Sequence, residues 1–201
     1  WLEDQLVLMA YPEFRLGAMH SLELMNFFLG LHPITNEQDA VNYIDRMSGL
    51  ADQFASKQAQ MNERAAKGVI DPKILLEHVL SQLTELSNLS VNDDPIYQHF
   101  NEALEKTSLT SEQKAELKGM VSSLLTNQIK PAQKQYTEAL ASLLPQAPTE
   151  IGLSQYPSGE EYYDQLLSHH VSLPLSSDQL YQQGIDEITR IHQEMKATFS
   201  S

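Results

Sequence analysis

Apolar residues recur at intervals of three, four and seven along most of this 201-residue chain, the spacing that gathers them on one face of an α-helix. Val41, Ile44, Met47, Leu50, Phe54 and Met61 keep it from a cap at Thr35 or Asn36 down to Gly68. This predicts one amphipathic helix of roughly 30 residues, about 45 Å long, with the glycine as its C-terminal stop. Asp71-Pro72 opens the next helix as a cap followed by proline in the first turn. Its inner face is Leu76, Val79, Leu80, Leu83 and Leu86, and the short turn between the two helices predicts antiparallel neighbours. Asn92-Asp93-Asp94-Pro95 repeats the cap-then-proline device for a shorter helix through Phe100 and Leu104.

Thr110-Ser111-Glu112-Gln113 fits a capping box, in which the threonine oxygen takes a first-turn amide and the glutamine reaches back to the cap. Leu117, Val121, Leu124, Leu125 and Gln128 are its expected inward residues. The pattern resumes at Tyr136, Leu140 and Leu144 beyond Pro131, so a long helix kinked at Pro131 is predicted rather than two separate ones. Pro145, Pro148 and Gly152 mark the one sustained linker. The division expected is a helical scaffold over 1–144, a linker over 145–157 and a helix-hinge-helix unit over 158–201. In that unit Ser158-Gly159-Glu160-Glu161 reads as a capping box that starts a helix at Gly159, which fails before Pro174. Ser176-Ser177-Asp178-Gln179 repeats the box with glutamine. Leu180, Gly184, Ile188, Ile191 and Met195 then form a predicted buried stripe, with Gly184 at a close crossing with a neighbouring helix. No stretch shows the period-two alternation a sheet requires. The fold class is all-α.

Near the N-terminus, Trp1 to Ala10 reads as the tail of an apolar helix or its connection, interrupted at Tyr11-Pro12. Met19 to Leu31 reads as a buried helix or packed entrance segment, with substrate lining as the competing role. His32-Pro33 ends it. The longest apolar patch, Leu22 to Leu31, is broken by Glu23 and Asn26 and falls short of the 18 or so residues of a membrane span, so no direct membrane insertion is expected. Twenty-seven acidic against thirteen basic residues give a formal charge of −14. Such a surface repels phosphate backbones and argues against nucleic-acid binding. The chain has no cysteine, which removes disulfides, thiolate ligands and cysteine nucleophiles.

Candidate chemistry is sparse. Seven histidines invite a metal site, but the inverted motif H-x-x-E-H at Glu77-His78 fails because position 74 is Ile74. His169 and His170 are adjacent and point about 100 degrees apart on a helix, as suits a helix end rather than a ligand pair. Glu187 and His192 are five apart, off the spacing that shares a face, and His192 is expected to be exposed. The pairs Asp93-Asp94 and Glu160-Glu161 sit at helix starts, where the dipole stabilises acidic groups. The pair Tyr162-Tyr163 is the candidate substrate-binding feature, because phenols can hydrogen-bond a substrate or an oxyanion; core packing is the competing reading. No catalytic residue, metal ligand, phosphate loop or dinucleotide fingerprint is identified.

The order G-E-x-Y-Y (159–163), L-S-x-D-x-L (175–180) and Q-G-I-D-E-I-x-R-I-x-x-E-M (183–195) resembles a large bacterial family known only as a domain of unknown function, number eight-eight-five. The resemblance extends upstream through N-F-F-L-G-L-H-P-I-T (26–35), Y-I-D-R-M (43–47) and G-V-I-D-P-K-I-L-L-E-H-V-L-S-Q-L (68–83). It implies a helical zinc-peptidase-like lipoprotein whose H-E-x-x-H motif lies downstream. This chain has no H-E-x-x-H, so the resemblance marks it as an interior or N-terminal piece: a non-catalytic wall of a substrate channel. Its expected partners are the remainder of the same polypeptide and a peptide substrate. Zinc is implied for the parent protein only, and no cofactor is expected in these residues. The family keeps aromatic residues at Tyr162 and Tyr163. Where it commonly reads T-T-T-D this chain has Val171-Ser172-Leu173-Pro174, and Tyr181 stands where histidine is common. The resemblance also implies export to the periplasm, with lipid anchoring upstream of Trp1. The alternative is a stand-alone acidic helical module for binding or adaptor work.

Overall fold

The structure, a computed structural model, describes residues 2–9, 11, 32–173 and 175–199. The expectations for Met19 to Leu31 and for Pro174 lie outside these. Among the described residues there is no strand, and the fold is all-α. The same residues hold nine α-helices in order: α1 Leu2–Met9, α2 Glu37–Ser48, α3 Leu50–Ala66, α4 Lys73–Asn88, α5 Pro95–Glu105, α6 Ser111–Leu124, α7 Lys130–Leu143, α8 Gly159–Val171 and α9 Ser177–Phe199, with a π turn, Leu125–Ile129, joining α6 to α7. Two compact units result. One is made of residues 15–151, the other of residues 1–14 with 152–201.

In the larger unit α7 is the common partner, packing on both α3 and α4, while α6 packs on α2 and α5. The core contains Tyr43, Met47, Phe54, Leu76, Leu83, Phe100, Leu125, Tyr136 and Leu140, all but sealed from solvent. Each such aliphatic or aromatic side chain contributes about 1.5–3 kcal/mol by leaving water. The helices predicted on either side of the turn at 68–72 are therefore not each other's main partners: α3 and α4 each pack chiefly on α7.

The single helix expected from residue 36 to Gly68 is two, α2 and α3, broken at Gly49. There the Gly49 amide donates to the Arg46 carbonyl at 3.2 Å and the Ser48 hydroxyl to the Asp45 carbonyl at 2.6 Å. These bonds across three residues tighten the last turn of α2, and periodicity across one residue does not register the break. The predicted ends hold. Asn36 Oδ1 accepts from the Asp39 amide at 2.9 Å. Gly68, at φ 78, closes α3 in a Schellman arrangement, with the Val69 amide on the Arg64 carbonyl and the Gly68 amide on that of Ala65, both at 3.0 Å.

Asp71 does not cap α4. Pro72 occupies the cap position without a side-chain bond, and the Asp71 carboxylate accepts from Arg64 Nη2 at 2.9 Å. Both side chains are largely shielded from solvent, so the pair ties the turn to the end of α3. The other two caps are as predicted. Asp94 Oδ1 accepts from the Ile96 amide at 3.0 Å ahead of Pro95, and Thr110 and Gln113 form the reciprocal box. Lys130 joins three elements: its ammonium donates to the Leu89 carbonyl at the end of α4 at 2.9 Å and lies 3.4 Å from Asp94 at the start of α5.

At Pro131 the helix continues, as expected, but by a wider turn. The Lys130 amide reaches back five residues to the Leu125 carbonyl. Proline has no amide proton and its ring collides with the carbonyl four residues back; the extra residue of a π turn relieves both. That residue also shifts the helical phase. Gln128 is exposed, and Ile129 takes the buried position instead.

In the smaller unit α8 packs on α1 and on the short 3-10 turn Leu153–Gln155. It starts at Gly159, as predicted, but not by a capping box. Ser158 adopts the left-handed conformation at φ 58 and its side chain makes no cap bond; a cap oxygen reaches the first-turn amides from the extended region. Glu161 is exposed and acts with Glu160 only as negative charge near the positive end of the helix. The second box is present: Ser176 Oγ accepts from the Gln179 amide at 3.3 Å and Gln179 Oε1 from the Ser176 amide at 3.0 Å. The stripe on α9 is continuous but not buried. Ile188, Ile191 and Met195 are exposed, and a Cβ at Gly184 would meet nothing within 4 Å among the described residues. The predicted burial is thus corrected for this chain, and no neighbouring helix among the described residues crosses at Gly184; period 3.6 reports an apolar face, not what covers it.

Candidate functional site

The first turns of α8 carry the predicted tyrosine pair, and one residue of offset sends the two rings about 100 degrees apart. Tyr162 is half-buried and packs on Tyr11, ring centroids 5.4 Å apart and tilted by 53°. Tyr163 is 47 % exposed and lines a cleft of about 430 Å³ together with Leu153, Ser154, Glu160, Asp164 and Ser177. The structure therefore parts the candidates: Tyr162 serves packing, and Tyr163 faces open space.

Glu160 and Asp164 are one helical turn apart, on the same face of α8, and bracket Tyr163. Ser154 enters from the 3-10 turn and Ser177 from the first residue of α9. The approach of the 3-10 turn to α8 depends on Gly159, since a Cβ there would lie 1.7 Å from the Leu153 carbonyl oxygen. The cleft thus presents two carboxylates, a phenol and two hydroxyls beside Leu153. It is rich in acceptors and suited to groups that bring N–H donors. Sequence reasoning singled out Glu160 only as a helix-start charge and missed Ser154, Asp164 and Ser177. The spacing of four between Glu160 and Asp164, around Tyr163, was the available signal.

The other candidates resolve into structural roles. The His169 and His170 rings meet edge-on at 5.4 Å in the last turn of α8, where imidazoles interact well with the helix dipole. His192 is exposed, and Glu187 pairs with Arg190; that contact holds the Glu187 carboxyl below its usual range. Among the described residues no three His, Asp or Glu side chains converge as metal ligands. Of the buried polar groups, Tyr43 is the most perturbed. Burial, and then the Asp94 carboxylate, push its phenol well above the ordinary value. Its ring lies against Phe100 at 5.3 Å and His99 at 6.2 Å. A further cleft of about 540 Å³, lined in part by Thr84, Asn88, Thr126, Lys134 and Thr137, lies beside the π turn; Lys130 on its wall is already engaged by Asp94 and the end of α4.

An all-α chain with a left-handed serine start, a helix–π–helix rod and an acceptor-rich cleft matches one sequence family across nearly its whole length. Residues 4–201 fit the model described as "Bacterial protein of unknown function (DUF885)", and the chain belongs to that family. No curated protein matches it by sequence. Among solved structures it is similar to one described as "the putative lipoprotein from Colwellia psychrerythraea", with 28% sequence identity, a TM-score of 0.78 and coverage of 86% of this chain. The match spans 30% of the length of that structure. Among the described residues no helix is long and apolar enough to cross a membrane.

Proposed function

We propose that these residues form a non-catalytic helical wall of the substrate channel in a longer, zinc-peptidase-like lipoprotein. The observation that carries the reading is a mismatch of scale and chemistry. The chain belongs to the family over residues 4–201 yet matches only 30% of the length of a solved lipoprotein relative, and its sequence contains no H-E-x-x-H. A catalytic zinc needs three protein ligands that leave an open position. The described residues converge no such set, and no zinc chemistry is accordingly assigned to them.

Their part is to shape and line. The cleft at Tyr163 offers carboxylate, phenol and hydroxyl groups to the N–H groups of a peptide. Export with lipid anchoring upstream of Trp1 belongs to the same proposal, supported by the lipoprotein relative. The test compares the isolated 201 residues with the polypeptide its gene encodes. Zinc content and peptide hydrolysis are expected from the second and not from the first. Stoichiometric zinc with turnover in the isolated residues would overturn the reading, as would a gene product lacking H-E-x-x-H. Recovery of the gene product in the soluble cytoplasmic fraction would remove the proposed anchoring.

A further inference from the structure

Helix α9 runs for 23 residues, about 35 Å, with its two long faces sharply different. One carries Tyr181, Ile185, Ile188, Ile191, Met195 and Phe199, all exposed; Ile188 is 53% and Met195 51% accessible. At 100° per residue these side chains and Gly184 fall within a sector of roughly 120°. The opposite face is polar and internally satisfied: Gln182 donates to Asp186 at 2.8 Å, and Arg190 pairs with both Glu187 and Glu194. An exposed apolar row of this length is a docking surface rather than scattered surface hydrophobicity.

Gly184 indicates what docks. It sits inside the apolar sector, in regular helix, with no positive φ to require glycine and nothing among the described residues within 4 Å of where a Cβ would stand. A mid-helix glycine weakens its own helix, and here no local geometry needs one. What it permits is close approach of a backbone from outside these residues. We infer that the apolar face of α9 seats a further helix of the same, longer polypeptide, crossing closest at Gly184.

This rests on the proposed function, in which the residues belong to a longer chain, and the solved relative supplies the length. A second copy is the poorer occupant, because pairing would bring together two chains of formal charge −14. Most of a helix's stability in a protein comes from packing of its apolar face, and cover on that face of α9 supplies what the polar face does not.

The experiment is hydrogen exchange and thermal melting on the polypeptide as its gene encodes it, with variants at position 184. The amides of Ile185 to Met195 are expected to exchange at least roughly tenfold more slowly there than in the isolated 201 residues. Gly184→Leu and the milder Gly184→Ala are expected to lower the melting temperature of the longer chain and to raise or preserve it in the isolated residues, where helix propensity alone acts. Equal exchange in the two, or Gly184→Ala stabilising both, would overturn the inference. So would protection that appears only with rising protein concentration, since a second copy would then be the occupant. Neither readout involves zinc or turnover: protected α9 amides in a protein without peptidase activity would uphold the docking and sink only the catalytic context.

Discussion

The carbonyl oxygen of Leu153 occupies the place where a side chain on Gly159 would begin, 1.7 Å from an ideal Cβ. Only glycine lets the 3-10 turn lie against the start of α8, and that contact assembles the Tyr163 cleft. Gly159→Ala is therefore expected to destabilise the protein by about 1–3 kcal/mol, in the manner of an overpacked core. Gly119→Ala is the matched control, as a Cβ there meets nothing within 4 Å; it is expected to stabilise by up to about 1 kcal/mol through helix propensity. Urea denaturation of the two variants checks both signs.

The tyrosine pair predicts a second separation. Tyr162→Ala removes the ring packed on Tyr11 and is expected to lower stability. Tyr163→Ala empties part of an open cleft and is expected to change stability by no more than about 0.5 kcal/mol while weakening peptide binding. Denaturation paired with peptide titration calorimetry distinguishes the roles, and the reverse assignment would show in the same data.

The Arg64–Asp71 pair, at 11% and 5% side-chain exposure, should reveal itself in a double-mutant cycle. Arg64→Met removes the guanidinium 2.9 Å from a largely buried carboxylate and is expected to destabilise the protein by a few kcal/mol, up to about 3–5 kcal/mol. Arg64→Met with Asp71→Leu is expected to recover most of the loss, because well-packed apolar groups replace a buried ion pair at little cost. Additive losses would mean the two side chains act independently.

Tyr43 gives the protein a pH dependence on the alkaline side. Its phenol is raised above the ordinary 10.0, first by burial and then by Asp94, so the folded chain keeps a proton that the unfolded chain releases. The stabilisation from this group is complete below about pH 10 and is lost as pH rises toward the folded value. Ultraviolet titration of the folded protein is expected to show one tyrosine fewer with ionisation delayed above pH 10 in Tyr43→Phe than in the parent sequence.

At the π turn, deleting Asn127 makes the Lys130–Leu125 bond a regular four-residue one and leaves α7 in phase, but sets the Pro131 ring against the carbonyl four residues back. A loss of about 3 kcal/mol is expected. Pro131→Ala alone is expected to stay within about 1 kcal/mol, and combined with the deletion to recover most of the loss. An equal loss with and without Pro131, read by urea denaturation, would show that the proline clash is not what the π turn relieves.

What the sequence determined by itself is local. Its 3.6-residue periodicity, the caps at Asn36, Asp94, Thr110 and Ser176, and the glycine stop at Gly68 act within one or two turns, so the all-α class and most helix ends were legible in the residues alone. Tertiary structure decided whatever depends on residues distant in the chain or on the backbone's local path. Asp71 faces both a cap position and Arg64, and only the packed turn selects the ion pair. Ser158 carries a box sequence, but its left-handed backbone turns the oxygen from the amides it would cap. Tyr162 and Tyr163 are chemically alike, and the ring that covers one and leaves the other open is that of Tyr11, about 150 residues away in sequence. The stripe of α9 shows the same limit: a period identifies which side chains seek cover, while the cover is a separate piece of structure whose identity the period does not encode.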